Sequence, residues 1–153
     1  MKKFDFKKQL SAGASGEKDF QDFYSYLNPK KSEDLKYDFI IDDGDTVEVK
    51  TDTYPMEKTP NFFMEYFSDT KSGKLGGPWR AKKDNVKYFV YYFVKDKTFF
   101  WFETKLLIEA LDDYLAVHTP QVKNIPNKGW ITQGFAIPRK ALEVVLLKKE
   151  IVK

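Results

Sequence analysis

The sequence contains no cysteine and only one histidine, His118, among its 153 residues. Disulfide frameworks and zinc sites built from cysteine or from clustered histidines are therefore excluded. Any metal site has to use oxygen ligands, which favours Mg²⁺ or Mn²⁺. The Gly-rich segment 68–80 also lacks the GxxxxGK[ST] pattern, which excludes a P-loop for nucleotide phosphates.

Long apolar runs are missing as well. No stretch approaches the roughly 20 residues of a membrane-spanning helix. The basic start, residues 1–10, has no apolar centre of signal-peptide length. We therefore expect no membrane contact and a cytoplasmic location, which is the host cytoplasm if the protein is phage-encoded. The net charge of +3, from 26 basic and 23 acidic residues, permits a local nucleic-acid-binding surface without requiring one.

Apolar and aromatic residues are plentiful, at 42% and 17% of the chain, which is enough for a buried core. The length suits a single domain over 1–153. Periodicity and turn residues predict an α+β or mixed α/β fold, in which helices flank one central mixed sheet. The predicted elements are an irregular or strand-like arm (1–14), a helix capped by Ser15 (15–27), a hairpin (37–41 and 46–51), a strand (61–67), a loop (68–80), a central strand (86–94), its hairpin partner (97–103), a helix (104–118), a loop (119–129), a strand (130–137) and a helix with Pro138 at its first position (138–149).

The segment "YDFIIDDGDTVEVK" (37–50) places charged residues inside the two strands of the predicted hairpin. A two-residue turn would set Asp38 opposite Val49, with its side chain pointing away from Glu48. A three-residue turn at 42–44 sets Asp38 directly opposite Glu48, because opposed residues share a face. We predict the three-residue turn, since Gly44 occupies its left-handed position.

The same register agrees with the apolar pattern of the hairpin. It unites on one face Tyr37, Phe39, Ile41, Val47 and Val49. The other face then carries Asp38, Glu48 and Lys50. Two opposed carboxylates repel unless a positive group lies between them. Solvated charges on an exposed hairpin face are the plainer interpretation.

These side chains suit metal-assisted phosphodiester hydrolysis. Asp38 and Glu48 can bind Mg²⁺ or Mn²⁺ through oxygen, and the Val49 carbonyl offers a further ligand. Lys50 can orient the attacking water and stabilise developing negative charge. Glu17 on the preceding helix is a candidate third ligand; its alternative role is to complement the helix dipole.

Asp38, followed after nine residues by Glu48-Val49-Lys50, resembles the D…(D/E)xK signature of the PD-(D/E)xK nuclease superfamily. The spacing is similar to that of phage junction-resolving endonucleases and archaeal Holliday-junction resolvases. The resemblance covers a core at 15–94, with 95–153 as a C-terminal extension. It implies a restriction-endonuclease-like core of a helix, three strands, a helix and a further strand, with Glu17 where a first-helix metal ligand often lies. Tyr37 replaces the proline that sometimes precedes the first acid.

We therefore expect a Mg²⁺-dependent DNA endonuclease, with a catalytically inactive nucleic-acid-binding or assembly protein as the alternative. A third alternative, a structural protein with incidental hairpin charges, requires Asp38 and Glu48 on opposite faces. Glu65 on the strand 61–67 is a supporting acid or a solvated strand residue. The aromatic strands at 88–102 are candidates for a homodimer interface, since symmetric dimers are common among junction-resolving relatives.

The loop at 68–80 offers polar side chains that could track a DNA phosphate backbone as a mobile flap, or simply be solvated. These are Lys71, Ser72, Lys74 and Arg80. The three tryptophans, Trp79, Trp101 and Trp130, are predicted to pack in the core or at an interface rather than to stack on bases. His118 is predicted to cap a helix at the surface.

Overall fold

The computed structural model describes residues 6–152, and the side chains of 12–152. It has a mixed α+β architecture with two sheets rather than the single predicted sheet. The helices are α1 (Phe6–Phe23), α2 (Gly77–Lys83) and α3 (Thr104–Val117), with 3-10 turns at Ser25–Leu27, Met56–Lys58 and Arg139–Val145. The strands are β1 (Lys30–Lys31), β2 (Phe39–Ile40), β3 (Thr46–Asp52), β4 (Asn61–Asp69), β5 (Lys74–Leu75), β6 (Tyr88–Phe93), β7 (Thr98–Glu103), β8 (Val122–Pro126), β9 (Ile131–Pro138) and β10 (Leu146–Ile151).

The larger sheet has the strand order β1-β2-β3-β6-β7-β10. β3 and β6 run parallel, and the other neighbouring pairs are antiparallel. β6 and β7 are almost continuously apolar because both faces of the sheet are covered at these strands. Their central position and their hairpin pairing confirm the prediction for 86–94 and 97–103.

Two apolar cores lie on opposite faces of this sheet. On one face, Phe20 of α1 and Tyr24, the residue after its end, pack with Val47 and Trp101. On the other, Phe62 and Met64 of β4 belong to a cluster that includes side chains of β6, α2 and α3. The aromatic side chains at 89–102 are thereby buried within one chain, and the homodimer stays a prediction.

The smaller sheet is antiparallel, with the order β5-β4-β9-β8. β4 pairs with β9 over most of its length, which removes it from the sheet that contains β3. The close approach of β9 to β4 needs a glycine at position 134, where a Cβ atom would lie 2.6 Å from the Met64 carbonyl oxygen. The region 95–153, the expected C-terminal extension, therefore contributes strands to both sheets.

Several predicted boundaries are wrong. α1 already begins at Phe6, so Ser15 lies inside the helix and does not cap it; residues 1–5 of the predicted arm lie outside the described part of the chain. Local preference contributes here, because Lys, Gln, Leu and Ala at 7–12 are good helix formers. The predicted loop 68–80 contains the end of β4, β5 and the start of α2, and the predicted loop 119–129 contains β8.

The final predicted helix, 138–149, is a 3-10 stretch followed by β10. Pro138 is the cap residue before that stretch rather than its first position. β10 pairs antiparallel with β7, whose outer edge would otherwise leave its backbone groups unpaired. Tertiary pairing thus overrides the helical spacing of this segment. No helix in the described residues is both long and apolar enough to cross a membrane.

Candidate active site

The register of the β2–β3 hairpin brings the two carboxylates together. Phe39 pairs with Val47 and Ile40 with Thr46, so the next residues outward, Asp38 and Glu48, are opposed. The turn has three residues, 42–44. Its glycine has φ +86°, and its N–H donates to the Ile41 carbonyl at 2.8 Å. The predicted three-residue turn is confirmed, and the structural alternative that required opposite faces loses its basis.

Asp38 lies just before β2, where the strand pairing stops. Its Oδ2 atom accepts a hydrogen bond from the Val49 backbone N–H at 2.8 Å, in place of a backbone partner for that group. The Val49 carbonyl lies on the same edge of β3, because both groups of an extended residue point to one side. Because β2 begins only at Phe39, the alternation does not extend to Tyr37, which packs in the opposite core from Phe39 and corrects the predicted face.

Helix α1 brings a third acid to this pair. Gly16 packs against Thr51 of β3 so closely that a Cβ atom at position 16 would overlap the threonine Oγ1. The next residue, Glu17, lies within hydrogen-bonding reach of the Asp38 carboxyl group. Its Oε2 atom is also 3.4 Å from Lys31 Nζ, an exposed cation on β1. The structure thus places Glu17 beside the hairpin acids.

Both hairpin carboxyl groups have raised pKa values. Burial raises the pKa of Asp38 to about 7, with a further contribution from Glu17, while the Val49 N–H opposes the shift. Burial also raises the pKa of Glu48 to about 9, reinforced by the charge of Asp38 and opposed by Arg80. The two acids therefore titrate as a coupled pair that keeps protons above the ordinary carboxyl range.

Glu48 and Lys50 share a small cavity of about 110 Å³, here called the inner cavity. Its wall also includes Glu65 and Arg80. Arg80 Nη2 donates to the Leu35 carbonyl at 2.9 Å, which ties α2 to the segment before Asp38. Arg80 thus lines the inner cavity and its charge acts on Glu48, whereas the sequence suggested a mobile flap or a solvated loop.

Glu65 reaches the inner cavity from the second sheet rather than from a strand beside β3. Its Oε2 atom accepts a hydrogen bond from the Gly77 N–H at 3.2 Å. A Cβ atom on Gly76 would overlap this carboxylate, and one on Gly77 would lie 2.5 Å from the Glu65 carbonyl oxygen. The glycine pair therefore serves close packing around Glu65.

A larger cavity of about 870 Å³, here called the outer cleft, adjoins the inner cavity. Lys50 and Glu65 belong to the walls of both. The outer cleft is bounded by the end of β3, the 53–60 connection, β4 and β8. No pattern in the sequence indicated the outer cleft, because its walls come from strands of two different sheets.

The two hairpin carboxylates fit Mg²⁺, which binds proteins through one or two carboxylates and keeps several waters. A divalent cation would also stabilise the ionised carboxylates against the burial that mainly raises both pKa values. Among the described residues, no three or more Asp, Glu, His or Cys side chains surround one point as a ligand set. The fit therefore rests on Asp38 and Glu48, with Glu17 as a neighbour of Asp38.

The other predicted contacts lie elsewhere. The side chains of Lys71, Ser72 and Lys74 are exposed at the β4–β5 turn and line neither cavity. Trp79 and Trp101 are buried, as predicted, whereas Trp130 is 36% exposed. His118 caps the C-terminus of α3 on the surface, which confirms its predicted place.

The chain matches no family model, no curated protein and no solved structure in comparisons with known proteins.

Proposed function

We propose that this protein is a Mg²⁺-dependent nuclease that hydrolyses DNA phosphodiester bonds, as the D…(D/E)xK resemblance implies. The observation that carries the proposal is the opposition of Asp38 and Glu48, with Lys50 two residues along the same strand face. Two opposed, half-buried carboxyl groups with raised pKa values are costly to keep as structural groups, and a divalent cation stabilises such a pair.

The order of elements supports the proposal. Apart from the two-residue strands β1 and β5, the order α1, β2, β3, β4, α2 and β6 matches the helix, three strands, helix and strand expected of a restriction-endonuclease-like core. β4 departs from that expectation by pairing in the second sheet. Glu65 on β4 nevertheless reaches the inner cavity beside Lys50.

Each side chain has a defined task in this reaction. Bound Mg²⁺ would polarise the phosphate and the attacking water. Asp38 and Glu48 would hold the ion, and the Val49 carbonyl lies on the strand edge that faces Asp38. Lys50 orients the water and stabilises negative charge that develops on the phosphate.

The overall reaction is balanced by water alone. The water oxygen forms a new bond to phosphorus as the bond to the leaving oxygen breaks. One water proton ends on the leaving oxygen, and the other dissociates from the new phosphate monoester. Arg80, which faces Glu48 and is anchored to Leu35, stands where it can contact the phosphate.

A cleavage assay tests the proposal. Purified protein should cut supercoiled plasmid and branched DNA with Mg²⁺ or Mn²⁺, and EDTA should abolish cutting. The Asp38→Asn protein should bind DNA but not cut it. Cutting by Asp38→Asn at the wild-type rate would refute the assignment, and intact DNA binding without cutting or metal uptake would favour the inactive binding protein.

A further inference from the structure

We propose that the outer cleft binds unpaired nucleotides of a DNA strand beside the scissile phosphate. This deepens the proposed function and rests on it for the position of the cut. It specifies the substrate class as DNA with single-stranded nucleotides next to the cleavage point, rather than continuous duplex.

The first support is continuity with the acidic site. Lys50 and Glu65 form part of the wall of both cavities, so the outer cleft opens directly beside the lysine proposed to act on the phosphate. A strand whose phosphate contacts Lys50 therefore continues into the cleft. Its volume of about 870 Å³ accommodates a few nucleotides of one strand and is too small for both strands of a duplex.

The second support is the charge of the cleft. Its lysines are Lys50, Lys58 and Lys123, and none of them forms a salt bridge within the described part of the chain. The carboxylates, in contrast, already have donors. Asp52 accepts from the Tyr91 hydroxyl and from the Tyr54 N–H, and Glu65 accepts from a glycine N–H. The positive groups are thus available to phosphates, while the carboxylates are already occupied by hydrogen bonds from the protein.

The third support is an aromatic ring at the rim. Tyr54 lines the cleft and is 65% exposed, so the face of its ring is accessible to a base. Bases stack on such rings in single-strand-binding proteins, and this contact tolerates any base.

The segment that carries Tyr54 is held in place by side chains from two later parts of the chain. Asp96 Oδ2 accepts a hydrogen bond from the Met56 N–H at 2.8 Å, and Arg139 Nη1 donates to the Thr59 carbonyl at 2.5 Å. The ring and the nearby Lys58 are therefore presented by an ordered connection. Such preorganisation lowers the entropy cost of binding.

The test measures binding without cleavage, using the full chain in EDTA. The probe is a fluorescein-labelled oligothymidylate of about eight nucleotides, within the site sizes known for single-strand binders. Tyr54→Ala should weaken its binding about 5- to 100-fold, whereas Tyr54→Phe should retain it. Lys58→Ala should make the negative slope of log K against log salt shallower by about 0.7, as the loss of one phosphate contact requires.

Matched controls are available elsewhere on the surface. Tyr26 is 62% exposed and lies outside the cleft, so Tyr26→Ala should bind the oligothymidylate as the wild type does. Lys105→Ala, on the exposed face of α3, should leave the salt slope unchanged. The proposal is overturned if Tyr54→Ala binds like the wild type, or if Tyr54→Ala and Tyr26→Ala lose equal affinity. It is also overturned if a blunt duplex of the same length binds as tightly as the single strand.

The outcomes separate this proposal from the nuclease activity. Tyr54-dependent binding by a protein that never cuts DNA would support the cleft and refute the nuclease. Mg²⁺-dependent cutting together with wild-type binding by Tyr54→Ala would do the reverse.

Discussion

Asp38 accepts a hydrogen bond from the Val49 backbone N–H at 2.8 Å, and this contact holds its carboxylate at the edge of β3. The side chain replaces the backbone partner that a longer β2 would have supplied. Its carboxylate is consequently placed next to Glu48 and within reach of Glu17. Early termination of one short strand thus creates the acidic cluster on which the proposed chemistry depends.

Replacement of Lys50 by alanine should reduce DNA cleavage about 10²- to 10³-fold, the range for removing one group that stabilises transition-state charge. Mg²⁺ binding should persist, because the carboxylates remain. Plasmid cleavage and calorimetry measure the two effects. Lys105→Ala is the control, and equal cutting by the Lys50→Ala and Lys105→Ala proteins would remove Lys50 from the mechanism.

The metal-free protein should lose stability as the pH rises from about 5 to about 9. The folded state keeps protons on Asp38 and Glu48 that the unfolded chain has already released, since their folded pKa values are about 7 and about 9. Stability therefore falls wherever the folded state binds more protons. Glu48→Gln, which cannot ionise, should show a smaller fall in Tm over this range. The control Glu109→Gln, at an exposed position on α3, should follow the wild type; a Glu48→Gln curve parallel to the wild type would contradict the prediction.

Mg²⁺ binding should release between about one and two protons per ion at pH 7, because the ion binds the ionised carboxylates. Calorimetry in two buffers with different ionisation enthalpies measures this number directly. At pH 10 the release should approach zero, since both groups are then already ionised. Binding without proton release at pH 7 would show that Asp38 and Glu48 are not the ligands.

Gly16→Ala should destabilise the protein by about 1–3 kcal/mol, the usual cost of overpacking a close contact. The new Cβ atom would overlap Thr51 Oγ1 and push α1, with Glu17, away from β3. Adding Thr51→Ala should restore part of the stability. Gly13→Ala is the matched control in the same helix, because no atom lies within 4 Å of its built Cβ. It should stabilise the helix by up to about 1 kcal/mol, and a similar loss in both variants would argue against the proposed contact.

Gly44→Ala should cost about 1–2 kcal/mol, because φ +86° is unfavourable for a residue with a Cβ atom. It should also weaken Mg²⁺ binding, since the turn sets the register that opposes the two acids. Gly73→Ala at the β4–β5 turn has comparable strain, with φ +71°, but lies far along the chain from the hairpin. It should lower Tm without changing Mg²⁺ affinity. If Gly44→Ala and Gly73→Ala lost the same Mg²⁺ affinity, the loss could not be assigned to the hairpin register.

The hairpin was the part of the candidate site that local sequence predicted well. Turn length, the position of Gly44 and strand alternation are properties of a few neighbouring residues, so they fixed the opposition of Asp38 and Glu48. Alternation failed only at Tyr37, where pairing ends. Arg80 and Glu65 were recognised as polar candidates, but their approach to Glu48 and Lys50 depends on α2 and on the second sheet.

The sequence by itself determined the mixed α+β composition, the central aromatic strands and the hairpin register, because each follows from short-range periodicity and turn geometry. Tertiary structure decided that β4 joins a second sheet with β9, that residues 146–151 form an edge strand instead of a helix, and that the outer cleft exists. These features depend on pairing between segments far apart in the chain. Unpaired backbone groups at a sheet edge outweigh local helical preference, and no local pattern encodes which distant strand will satisfy them.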